Sequence, residues 1–123
     1  MNRVALAILA LCAVLLAACG EPLPQDKREY AGDWRGDRMR LVITPEGRCE
    51  YERQKPGGTS ARISAPIQRF DGNNFVVGVG PFTTTFVVTR APHIANGKWK
   101  MVVDGVELTR ASAPGEVRTG IAV

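Results

Sequence analysis

The stretch "KWKMVVDGVELTR", residues 98–110, decides the fold. Trp99, Met101 and Val103 alternate with Lys98 and Lys100, a period of two that sorts side chains onto opposite faces of a strand. Asp104-Gly105 then interrupts, and "VELTR" resumes with Val106 and Leu108 on the apolar side. Asp-Gly between two alternating runs is the signature of a two-residue type I′ turn, because that turn needs positive φ at both central positions. The stretch therefore predicts a β-hairpin with Trp99, Met101, Val103, Val106 and Leu108 facing a core.

Moving outward, the same period recurs. "RMRLVIT" sets Met39, Leu41 and Ile43 against Arg38, Arg40 and Thr44. After "PEG" (45–47), "RCEYERQ" places Cys49 and Tyr51 inward and Arg48, Glu50 and Glu52 outward. "KPGG" (55–58) is the next break, read as a turn and not a phosphate loop, since no helix follows Gly57 and Gly58 to hold an anion. "TSARIS" turns Ala61 and Ile63 inward, Pro66 suits a strand start or an edge, and "IQRF" follows. "DGNN" (71–74) separates it from "FVVGVG", in which Phe75, Val77 and Val79 share a face and Gly78 and Gly80 invite a bulge or a close approach. In "FTTTFVVT", Phe82, Phe86 and Val88 share a face, and "RAPHIANG" (90–97) reads as the longest loop.

About 7–8 short strands with turns every ten residues or so, and no helical period after residue 19, predict a small all-β antiparallel barrel or sandwich. Its extent is 30–110, ahead of a loose tail over 111–123. One core collects Met39, Leu41, Ile43, Tyr51, Ile63, Phe75, Val77, Phe82, Phe86, Trp99, Met101 and Leu108.

The front of the chain obeys a different rule. Met1-Asn2-Arg3 carries one side-chain charge, and Val4–Ala18 carries none. Fifteen or so apolar residues fall short of a ~30 Å hydrocarbon core, but they match the apolar region of a secretory signal peptide. "LAAC" (Leu16-Ala17-Ala18-Cys19) resembles the lipobox of bacterial lipoproteins. The resemblance implies a diacylglyceryl thioether on Cys19 and cleavage by signal peptidase II between Ala18 and Cys19. It also implies further acylation of the new amine, and two or more acyl chains anchor a protein stably where one does not. Residues 1–18 are then the helical signal peptide, and 19–29 are a lipidated tether, extended because "GEPLPQDKRE" is rich in proline and charge. Gly20, where an Asp would favour inner-membrane retention in the Gram-negative family, points to the periplasmic face of the outer membrane.

Charge and cysteines narrow the function classes. The 16 basic and 12 acidic residues lose only Arg3 with the leader, leaving a net charge of +3, scattered without a basic block. That pattern and an exported location argue against a nucleic-acid partner. With Cys12 in the leader and Cys19 lipidated, Cys49 has no disulfide partner and reads as a buried small hydrophobe.

"YAGDW" (30–34) resembles the Gly-x-Trp opening of lipocalin-type barrels, carried here by Gly32-Asp33-Trp34. In that family the Trp plugs the closed end and a basic side chain from the last strand lies across its indole. The resemblance assigns those structural roles to Trp34 and Arg110.

Catalytic chemistry finds little to stand on. His93 is the only histidine, one His and one Cys do not make a zinc site, and Glu50 and Glu52 sit on a solvated strand face. No cofactor is expected, and "RGD" (35–37) reads as a chance tripeptide. The functional expectation is a non-enzymatic, membrane-anchored envelope lipoprotein with a protein partner. The alternatives are a carrier of a small apolar ligand lined by Tyr51, Phe86 and Trp99, and an envelope hydrolase.

Overall fold

The computed structural model describes residues 21–112. A 3₁₀ segment, Gln25–Tyr30, leads into nine strands. These are β1 (Gly32–Gly36), β2 (Met39–Ile43), β3 (Arg48–Gln54), β4 (Ser60–Asp71) and β5 (Asn74–Val79), followed by β6 (Phe82–Phe86), β7 (Val88–Ala95), β8 (Lys98–Val103) and β9 (Val106–Ser112). All neighbours are antiparallel, in the order β6-β5-β4-β3-β2-β1-β9-β8-β7. The result is one curled sheet, a half-barrel, in keeping with the all-β class read from the sequence.

The curl has a covalent cause. β6 and β7 are the first and last strands of the sheet, yet Val87 alone separates them along the chain. Phe86 is laddered to Phe75 while Val88 is laddered to Val103, so one residue carries the chain from one edge of the sheet to the other. Val87 N–H donates to the Asp104 carboxylate, and Asp104 N–H donates to Val87 carbonyl oxygen, which pins the crossing point. β4 bridges in a similar way. Its first half pairs with β3 up to Arg48↔Pro66, and its second half pairs with β5 from Ile67↔Val77, with a bulge between Ile67 and Arg69.

The structure differs from the sequence reading in five places. There are nine strands where about 7–8 were expected. The segment expected to be a loop over 90–97 is mostly β7, bent by register shifts on either side of Arg90. Its Pro92 is tolerated because β7 is an edge strand, and Asn96-Gly97, both at positive φ, make the hairpin turn to β8. Pro66, expected at a strand start or an edge, lies inside β4, where the ladder changes partner and a missing N–H is tolerated. Phe82 and Val79 do not join the core: paired across the β5–β6 hairpin, they are 83% and 55% exposed.

The fifth difference concerns the segment expected to be an extended tether over 19–29, whose described part, from Glu21, packs on the sheet. Leu23 is buried, its N–H donates to Pro45 carbonyl oxygen at 3.1 Å, and the chain coils into the 3₁₀ turn that ends on buried Tyr30. Two apolar anchors, Leu23 and Tyr30, outweigh the extended preference of the prolines between and around them. Gly47 takes part in this docking: a Cβ there would collide with the Glu21 carbonyl, and its φ of +86° already excludes most side chains.

The core is built of large apolar side chains. Trp34, Leu41, Ile43, Phe75, Phe86, Met101 and Leu108 are each 0–1% exposed. Phe86 stacks on Phe75 at 5.0 Å and meets Tyr51 edge-on at 5.0 Å. Two of the three side chains expected to line a carrier's cavity thus pack against one another.

Candidate functional site

The antiparallel connections give the sheet two unlike ends. The 3₁₀ segment, the β2–β3 turn and the β4–β5 turn gather at one end, where Leu23 bonds to Pro45 and the Tyr30 hydroxyl donates to Asn73 carbonyl oxygen at 2.9 Å. The β1–β2, β3–β4 and β8–β9 turns gather at the other, around a cleft lined by Asp37, Arg38, Lys55, Pro56 and Gly105. The first is the closed end and the second the mouth.

Trp34 and Arg110, the two side chains singled out by the lipocalin resemblance, meet near the closed end. Trp34 is fully buried, and its indole N–H donates to Tyr30 carbonyl oxygen at 2.8 Å, which ties the first strand to the 3₁₀ segment. Arg110, laddered opposite Trp34, holds its guanidinium carbon 5.8 Å from the Trp34 ring centroid and 4.8 Å from that of Trp99. Burial lowers the Arg110 pKa while the Glu29 carboxylate acts against the shift, and the group remains a cation at neutral pH. Two electron-rich ring faces take the place of a counter-ion for it, at about 0.5–2 kcal/mol per contact. Trp99, the third side chain expected to line a cavity, is therefore a partner of Arg110. Cys19 and Ala18, the expected lipidation and cleavage positions, lie outside the described residues.

On the outer face, Asp33 is the one buried charged side chain among the described residues, at 7% exposure. Arg35 donates to it from Nε and Nη2 at 3.3 and 3.0 Å, and Arg40 from the same atoms at 3.2 and 3.1 Å. Burial alone would raise the Asp33 pKa, but the hydrogen bonds from Arg40 and Arg35, with their charges, outweigh it and hold the pKa below the usual carboxylate value. This clamp also accounts for the "RGD" tripeptide. Arg35 is engaged, and a Cβ on Gly36 would strike the Glu107 carbonyl and the Leu108 side chain, so the three residues do not form a free loop.

The remaining sequence candidates are separated from one another. Glu52 pairs with Arg62 at 3.2 Å on the outer face, two residues from Glu50. His93 Nδ1 lies 2.8 Å from its neighbour Ala91 carbonyl oxygen. Cys49 is fully buried, and burial pushes its thiol up to about 12, so it is not a thiolate at neutral pH. Among the described residues, no three His, Cys, Asp or Glu side chains gather as a metal site requires.

Arg53 is the residue that the sequence reading passed over. It follows Cys49 and Tyr51 in phase, so it continues the inward column of β3 and reaches the mouth half-buried. The signal was the alternation itself, which places a cation where the next apolar side chain would stand.

Comparison with protein-family models, with curated proteins and with solved structures finds no match to the chain.

Proposed function

We propose that the chain is a lipid-anchored, non-enzymatic protein of the bacterial envelope, whose β domain holds a recognition surface for a protein partner beside the membrane. The observation that carries this reading is Leu16-Ala17-Ala18-Cys19 standing only two residues ahead of the packed segment that begins at Glu21. With Leu23 and Tyr30 fastened to the closed end, acyl chains on Cys19 would hold that end at the bilayer. The mouth, with its turns at 37–38, 55–59 and 104–105, would then face away as the recognition surface. Gly20 favours the periplasmic face of the outer membrane where the cell has one.

Metabolic labelling with radioactive palmitate tests the anchor. The full chain should take up label, and Cys19→Ala should abolish it and leave a longer precursor. An unlabelled, fully processed wild-type chain would overturn the reading. Photo-crosslinkers at Lys55 and, for comparison, at Gln25 test the orientation in intact cells: protein adducts are expected from Lys55 alone.

A further inference from the structure

We infer that the mouth is a binding site for a small organic anion with an aromatic or aliphatic body. The inference is independent of the membrane anchor. The cleft measures about 750 Å³. Its apolar wall is made by Tyr51 and Ala61, both inward-facing and half-buried, and by Val106. Three cations surround that wall: Arg38, Arg53 and Lys55.

The charge balance points to an anion. Among the described residues, none of the three cations forms an ion pair, while Arg35, Arg40 and Arg62 on the outer face each pair with a carboxylate. Of the two carboxylates in the cleft, Glu107 is held by Lys100 at 3.1 Å, which leaves Asp37 against three positive charges. Arg53 is the most telling. It shares the inner face of β3 with Cys49 and Tyr51, where the alternation would put an apolar side chain, and it stands half-buried in the cleft with no carboxylate paired to it among the described residues.

Arg38 adds a second, independent observation. It stands at φ +55°, a region that residues other than glycine seldom occupy, and Gln54 N–H donates to its carbonyl oxygen at 2.8 Å and holds it there. A glycine or asparagine would make this turn with less strain, yet the chain carries a guanidinium at the rim. A carboxylate or phosphate between Arg53 and Arg38, with its body against Tyr51 and Val106, satisfies both the charge and the apolar wall.

Titration calorimetry on the full chain in a neutral detergent tests this with 4-phenylbutyrate, its neutral analogue 4-phenylbutan-1-ol, and inorganic phosphate. Phenylbutyrate should saturate one site per chain. The alcohol, which lacks the charge, and phosphate, which lacks the body, should each bind at least about tenfold more weakly. Arg53→Gln should lose about the same factor, and Arg69→Gln, which removes a cation paired with Asp71 away from the mouth, should lose nothing. Should Arg53→Gln fail to fold by thermal melting, Arg38→Gln is expected to show the same loss. Overturning results are no saturable binding of phenylbutyrate, equal binding of the alcohol or of phosphate, or unchanged affinity in the folded arginine variant.

Discussion

The closed end and the mouth solve the same problem in opposite ways. Each places an inward-facing arginine near the rim of the sheet. At the closed end Arg110 lies over Trp34 and Trp99, and the 3₁₀ segment covers the neighbouring core with Tyr30 and Leu23. At the mouth Arg53 rises above Tyr51 into an open cleft, with no aromatic face or carboxylate assigned to it among the described residues. The first cation belongs to the architecture, whereas the second is the one we propose to hold a ligand.

Substitutions can break or sharpen this contrast. The largest effect should come from Trp34→Ala, which removes the largest fully buried side chain and its bond to Tyr30. A loss of about 3–5 kcal/mol is expected in denaturant unfolding. Leu23→Ala should cost about 2–3 kcal/mol if the leading segment is truly part of the closed end. A near-zero cost would make that segment a tether after all.

Asp33→Asn lies between the ends and calibrates them, with an expected loss of about 1–2 kcal/mol at neutral pH, since its arginine partners remain solvated. The sign of its pH dependence follows from the lowered pKa. The native carboxylate binds a proton less readily than the unfolded one, so its stabilisation is complete above the ordinary value of about 4 and is lost as pH falls through the folded value. Wild type and Asp33→Asn should therefore converge in melting temperature on acidification.

Arg110→Gln should cost about 1 kcal/mol and change the indole fluorescence, because it removes a cation from two ring faces. The smallest effect belongs to Arg53→Gln, expected within about 0.5 kcal/mol of wild type, or slightly stabilising, in the absence of ligand. A large loss there would mean that Arg53 is structural, and the contrast between the two ends would fail.

Much of this fold is legible along the chain. Asp104 and Gly105 adopt the two positive φ angles that their turn demands, and the alternation of Met39, Leu41 and Ile43 matches three buried positions. Local chemistry sets these features, and local chemistry is what a sequence displays. Asn96-Gly97 carried an equally strong turn signal, but Pro92 drew the stretch into an apparent loop. An edge strand tolerates proline, and nothing local tells which strands are edges. Phe82 read as core for a related reason: alternation reports which face a side chain points to, but not whether anything lies opposite that face.

The sequence by itself determined the all-β class, most of the turn positions and most of the core, because each depends on residues close together along the chain. Only the tertiary structure decided that Val87 joins the two edges of the sheet and that Leu23 docks beside Pro45. It also decided that Arg110 meets two indoles while Arg53 meets an open cleft. Those facts depend on the long-range closure of the sheet, which brings residues from opposite ends of the chain together.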